Sequence, residues 1–227
     1  MPPPSLQASN DTEQDSVAVV MVNWNGWRDT VQAHISLKAS IFKNWRLIVV
    51  DNASTDGSVT ELYRAMPDAE IIENAENSGF AGGCNIGMAR ALSMGFKYIF
   101  LLNGDATVEP EALGALVGAS ASLKDEAILG SAVKYAETGN YQFFGSRTRK
   151  DVGHPEWLNT ADDQIALQRA LIETDFVFGA ALFVPATILR RTGLFDERLP
   201  GSDFPWIGTW TPLYRPASSI SVGSHRT

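Results

Sequence analysis

The sequence predicts an α/β protein built on a mostly parallel central sheet with helices on both faces. Two observations predict it. From Val17 to about Leu123, apolar runs of strand length alternate with helical segments in the order β-α-β-α-β-α-β-α. That alternation is the pattern of a parallel sheet with right-handed crossovers. Three of the predicted strands also end in small polar turns, at Asn23–Gly26, Asp51–Ser58 and Asn103–Asp105. In a parallel sheet these turns share one edge, where open α/β folds present ligands.

Each element has a local reason. Met1–Ser16 is Pro-rich and then polar, and is expected as a disordered leader. Val17–Val22 is a continuous, largely β-branched apolar run, the mark of a buried strand. A helix is expected from Asp29 or Thr30 to about Ala39, with Val31, Ile35 and Leu37 towards the core. Trp45–Val50 is the second strand, followed by a helix over about Ser58–Met66 with Val59, Leu62 and Tyr63 on one side, closed by Pro67. Glu70–Glu73 is a short third strand. Four glycines between Gly79 and Gly87 predict a tight backbone segment before helix resumes at Met88–Leu92. Tyr98–Asn103 is a fourth, fully buried strand. Glu109-Pro110-Glu111 then starts a helix to about Leu123, with proline and acids in its first turn.

The second half is less regular. Ala127–Val133, Tyr141–Phe144 and Thr174–Val184 read as strands, and Ser146–Asp163 as a polar loop carrying Arg147, Arg149 and Lys150. Gln164–Leu171 and Pro185–Arg191 read as short helices, and Gly193–Glu197 as a turn. Leu199–Thr227 holds Pro200, Pro205, Pro212 and Pro216 and no helical or strand period. It is expected as an extended Pro-rich tail, or as a native C-terminus replaced through truncation or a frame disruption. The expected organisation is a leader at 1–16, one domain at 17–198 with halves 17–125 and 126–198, and an irregular tail at 199–227.

Composition excludes several classes. A formal net charge of -8 argues against nucleic-acid binding. The single cysteine, Cys84, rules out an intramolecular disulfide framework, and His34, His154 and His225 have no metal-site spacing. The N-terminus lacks the basic start and apolar stretch of a signal peptide, and no apolar run reaches the roughly 18–20 residues of a membrane span. The expectation is a cytoplasmic protein, with peripheral contact at the inner face of a membrane left open.

Three motifs carry chemistry. Asp51 ends a strand and precedes small polar residues. It could accept a hydrogen bond from a nucleobase N–H, or serve an Asx-type turn with Ser54 or Asp56 capping the next helix. Gly79–Gly87 could bring backbone N–H groups to a diphosphate, although it is neither a Walker loop nor a dinucleotide fingerprint. Asn103-Gly104-Asp105 places one carboxylate at a strand end, or is an ordinary turn.

Together, Val22–Gly26, Val49–Ser58, Asn77–Gly83 and Leu101–Asp105, in this order and spacing, closely resemble the family 2 glycosyltransferases of GT-A fold, and within them the rhamnosyltransferase-like branch. The resemblance covers about Val17 to Glu197. It implies an inverting, metal-dependent transfer of a sugar from a nucleotide-diphosphate sugar to a saccharide or lipid-linked acceptor, in cell-surface polysaccharide synthesis. It also implies that the turn Asn23–Asn25 and Asp51 meet the nucleobase and ribose, with Asn52 and Ser54 also among the donor-binding residues. Asp56 and the loop from Asn77 to Asn85, with Gly79 and Gly82, would line the nucleotide pocket. Asn103 and Asp105 stand where the family carries Asp-x-Asp, making Asp105 the implied ligand of Mg²⁺ or Mn²⁺.

The family's general base follows an aromatic run in a Glu-Asp-x-Asp stretch. Here Leu199–Trp206 departs from that pattern, leaving Asp203 and Asp196 as candidate bases. A second expectation is therefore a nucleotide-sugar-binding remnant without turnover. A dinucleotide-dependent oxidoreductase is disfavoured, because the first strand is followed by Gly26 alone rather than a glycine fingerprint. Sugar, nucleobase, acceptor and oligomeric state are not legible.

Overall fold

The computed structural model describes residues 15–143, 145–148, 155–158, 171–177, 179–197 and 213–222. The expected helix at Gln164–Leu171 falls, except for its last residue, outside them, as do Asp203 and the basic residues Arg149 and Lys150.

The first half, 17–125, follows the expected alternation closely. It runs β1 (Val17–Asn23), α1 (Trp27–Lys38), β2 (Trp45–Asp51), α2 (Ser58–Ala65), β3 (Glu70–Glu73), α3 (Gly79–Ser93), β4 (Tyr98–Leu102), β5 (Ala106–Val108) and α4 (Ala112–Ser122). Then come β6 (Leu129–Tyr135), β7 (Tyr141–Phe143), β8 (Ser146–Thr148), β9 (Pro155–Trp157), β10 (Ile172–Glu173), β11 (Ala181–Pro185), α5 (Ala186–Thr192) and β12 (Leu213–Val222).

Among the described residues, the main sheet has the order β10-β12-β6-β11-β4-β1-β2-β3. β4, β1, β2 and β3 are parallel neighbours, and β11 joins β4 antiparallel. One sheet thus runs through both expected halves. The chain moves outward from β1 to β3, then returns to the other side of β1 as β4. The strand order reverses between β1 and β4, which opens a crevice at their carboxyl ends.

Strand periodicity divides the core. Val17, Val19 and Met21 join Leu47, Val49, Tyr98, Phe100 and Phe183 on one face, with residues of α1, α2 and α4. Ala18, Val20 and Ile48 join Ile99 and Leu101 on the other, with residues of α3 and α5. The helices therefore cover both faces, as expected. Tyr98 and Phe183 stack with ring centroids 5.0 Å apart, which fastens the antiparallel β11 to the parallel strands.

The glycine segment departs from its expected form. Gly79–Gly87 is the first half of α3 rather than a tight loop. A Cβ on Gly83 would come within 2.8 Å of Val22, and one on Gly87 would collide with Val20. The bare helix surface lets α3 lie directly on β1. The glycines serve helix–strand approach, and a helix broken by four poor helix formers is held by packing rather than propensity.

Other differences have similar causes. Along α1 the buried residues are Thr30, Ala33, His34 and Leu37. Ile35 is 54% exposed, and Tyr63 of α2 is 50% exposed. Leu37, Leu62 and Val31 meet the core as expected, while Ala33 and His34 take the buried places on α1 that leave Ile35 outside. β5, β8, β9 and β10 are two or three residues long, too short to show a period. The expected polar loop at Ser146–Asp163 thus contains the β8–β9 hairpin. The tail, expected to hold no regular element, contributes β12. Its pairing with β6 shifts register between Arg215 and Ser219, across Pro216, which cannot donate to a ladder and hid the strand. No helix among the described residues is long and apolar enough to cross a membrane.

Candidate functional site: an asparagine-lined cavity at the carboxyl edge

The crevice between β1 and β4 holds a cavity of about 730 Å³, within the usual range for small-ligand sites. Asn23, Trp24, Asn25 and Gly26 line it from the β1 exit, and Asp29 and Thr30 from the start of α1. Asn52 follows β2, Asn77, Gly79 and Phe80 enter α3, and Asn103, Gly104 and Asp105 follow β4. The topology thus brings residues of all four predicted motifs around one space.

The walls are built by a dense polar network. Asn23 is 2% exposed. Its Nδ2 donates to Asp51 Oδ2 at 2.7 Å and to Ser54 Oγ at 3.2 Å, and its Oδ1 accepts from Thr30 Oγ1 at 3.0 Å. Ser54 Oγ also accepts the backbone N–H of Asn25 at 2.8 Å, and Asn25 Oδ1 accepts that of Thr55 at 2.8 Å. These bonds tie the β1 exit to the β2 exit. They hold Asn25 (φ 52°) and Ala53 (φ 60°) in the left-handed region, which costs Ala53 about 1 kcal/mol or more.

Asn52 forms a second hub. Its Nδ2 donates to Asn77 Oδ1 at 2.8 Å and to the Gly79 carbonyl at 3.0 Å. Its Oδ1 accepts from Asn74 Nδ2 at 3.0 Å and from the Ser78 N–H at 3.2 Å. The entry to α3 is therefore fixed to the β2 exit. On the opposite wall, the Asn103 N–H bonds the Ala180 carbonyl at 3.0 Å. A Cβ on Gly104 would stand 2.8 Å from Thr30 Oγ1, so glycine lets the β4 exit close against α1.

Several sequence-predicted residues have other tasks. Asp51 is 1% exposed, and its carboxylate is engaged by Asn23 and by the Ser54 N–H at 2.9 Å. It stands behind the residues that line the cavity, and the bonds it makes are those of the turn reading. Asp51→Ala is expected to cost about 1–3 kcal/mol by leaving Asn23 Nδ2 short of its acceptor, seen as a lower Tm.

Asp56 is exposed and accepts the Ser58 N–H at 3.0 Å. Its bond with the Ser58 hydroxyl holds its carboxyl below the usual range. It caps α2 outside the cavity. Gly82 also lies outside it, against Ser78, 2.6 Å from where its Cβ would be. Asn85 is committed to the turn after α5. Its Nδ2 donates to the Phe195 carbonyl at 3.0 Å and to Glu197 Oε1 at 2.6 Å, and its Oδ1 accepts the Phe195 N–H at 2.9 Å. Asn85→Ala should free the Gly193–Glu197 turn, read as faster amide exchange at Phe195 with little change in β1. Asp196 is exposed on that turn and is not among the residues that line the cavity.

Of the wall residues, Trp24 and Phe80 fall inside segments that the resemblance marks, whereas Asp29 and Thr30 read in sequence only as the start of a helix. Trp24 is 60% exposed. A tryptophan between two asparagines at a strand exit was the available signal. Among the described residues no group of three or more His, Cys, Asp or Glu forms a metal centre.

Structural comparison finds the same fold in S. aureus TarS. Residues 1–349 of that protein in complex with UDP-GlcNAc align with a TM-score of 0.62 at 13% identity, over 93% of this chain and 59% of that one. A second structure of TarS 1–349 aligns at 0.57 and 15% identity, over 88% of this chain and 60% of that one. This chain spans about 60% of the TarS 1–349 length. No curated protein matches it. The family model "Glycosyl transferase family 2" matches residues 18–185, most of the chain, and the protein belongs to that family.

Proposed function

We propose that the chain is an inverting glycosyltransferase that takes a sugar from a nucleotide-diphosphate sugar and passes it to a saccharide or lipid-linked acceptor in cell-surface polysaccharide synthesis. The observation that carries this reading is the cavity at the β1–β4 crevice, which gathers Asn23, Trp24, Asn52, Asn103 and Asp105 around one volume. Amide-rich walls suit the donors and acceptors of a base and ribose, and the exposed Trp24 face suits stacking on a base. The TarS structure with UDP-GlcNAc supports a donor of this class. The motif resemblance supports the rhamnosyltransferase-like branch.

The residues present suit a divalent cation. Asp105 lines the cavity with Asn103 beside it, and Mg²⁺ or Mn²⁺ commonly takes one or two carboxylates and completes its shell with substrate phosphate oxygens and water. Asp105 would hold it. Such a cation, when bound, neutralises charge on the departing diphosphate. Asn23, Asn52 and Asn103 would orient the donor. The acceptor oxygen bonds to the anomeric carbon as the carbon–diphosphate bond breaks, and the hydroxyl proton passes to a carboxylate base.

A second reading has its own observation. Among the described residues, the acids lining the cavity are Asp29 and Asp105. Asp196 lies elsewhere and Asp203 lies outside the described residues. A chain without a base would bind donor and not transfer it. Calorimetry with a panel of nucleotide sugars and Mn²⁺, paired with measurement of released nucleoside diphosphate, separates the two. Binding with release supports the transferase, binding without release supports the remnant, and absence of binding overturns both.

A further inference from the structure

A second cavity, of about 340 Å³, lies at the other end of β2. Its walls are His34 and Lys38 of α1, Lys43 before β2, Trp45 and Arg46 at its start, and Asp68 after α2. β2 is seven residues long, so about 3.3 Å per residue puts this cavity roughly 20 Å from the donor site. It is a separate place on the molecule.

Its charge runs against that of the chain. The protein carries -8 overall, yet this cavity gathers three permanent cations and one carboxylate. Asp68 is balanced by Lys38, Nζ to Oδ2 at 3.1 Å. Lys43 and Arg46 make no ion pair among the described residues. Two exposed cations converge on the cavity without a counter-charge.

The second observation is at the cavity wall. His34 is 2% exposed and its Nε2 is buried with no hydrogen-bond partner. Asp68 Oδ1 stands at 3.5 Å, beyond a good hydrogen bond. That long contact leaves a buried nitrogen under-satisfied, which is costly. Burial, outweighing the pull of Asp68, holds the ring below its usual value. It is therefore neutral at pH 7 and able to present one N–H. Trp45 meets the His34 ring edge-on at 6.5 Å, which fixes the imidazole.

We propose that this cavity is a binding site for a phosphate-bearing anion, held by Lys43 and Arg46 with His34 Nε2 donating from the wall. Arginine and lysine beside a neutral donor are the chemistry of phosphate recognition. The phosphate could belong to a soluble ester or diphosphate, or to a lipid headgroup. Ile35 and Ile41, 54% and 66% exposed in the same segment, would face the acyl chains in the second case.

The test uses the 227-residue chain and the variant Lys43→Ala/Arg46→Ala, with chelator present to silence metal-dependent binding elsewhere. Both replaced side chains are exposed, so the fold should persist, checked by circular dichroism and by unchanged nucleotide-sugar affinity with Mn²⁺. One arm titrates pyrophosphate by calorimetry. The other measures flotation with phosphatidylcholine vesicles with and without phosphatidylglycerol. A loss of roughly tenfold or more in the variant is expected. Loss of pyrophosphate binding supports the site with a soluble phosphate, and loss of phosphatidylglycerol-dependent flotation alone supports it with a headgroup. No binding in either arm, or binding undiminished in the variant, overturns it. Nucleotide-sugar affinity is read separately, so failure here leaves the donor-site reading standing.

Discussion

Asp105→Ala is expected to reduce Mn²⁺-dependent transfer by roughly 10²–10³-fold, the usual loss when one group that stabilises developing charge is removed. Asp105 lines the cavity with Asn103, at the position where the resemblance implies the metal ligand. The substitution removes one carboxylate and leaves in place the Asn23–Asp51 and Asn52–Asn77 bonds that hold the walls. Donor affinity in Mn²⁺ should fall towards the value in chelator, while affinity in chelator stays as in the parent. Calorimetry at both conditions checks this, with Tm confirming the fold. Equal metal-dependent gains in parent and variant would remove Asp105 from the role.

Gly87→Ala is expected to destabilise the protein by about 1–3 kcal/mol, the range for overpacking. Its Cβ would collide with Val20 Cγ1 on β1, and Val20 is 1% exposed. Alanine is the better helix former by about 1 kcal/mol, so propensity alone predicts the opposite sign. Removing the obstructing methyls in Gly87→Ala/Val20→Ala should recover part of the loss, which gives a coupling measurable in a denaturant double-mutant cycle. Additive effects would mean that α3 does not rest on β1 through this contact.

The same glycines show where sequence reading succeeds and where it stops. Alternating apolar runs were enough for the fold class and the sheet edge, because buried parallel strands carry continuous hydrophobic stretches that little else produces. Clustered glycines signalled close approach correctly. They could not say whether a phosphate or a strand was approaching, since both need a missing Cβ. Asp51 was ambiguous for a related reason. A carboxylate at a strand end looks the same in sequence whether it faces a ligand or a buried asparagine, and Asn23 is 28 positions away. The Asn85 contacts with Phe195 and Glu197 span 110 and 112 positions, beyond any local pattern. The place of Asn103 and Asp105 at the sheet edge was legible because their motif is contiguous with the end of β4.

The β1–β4 cavity is where the proposed nucleotide sugar would bind. Trp24, 60% exposed on its wall, reports on that directly. Titrating nucleotide sugars with Mn²⁺ should quench or shift a tryptophan emission component that is absent in Trp24→Phe, at the concentration where calorimetry shows binding. A nucleotide sugar that binds with the same spectral change in Trp24→Phe, or with none in the parent, would place the donor elsewhere and contradict the account.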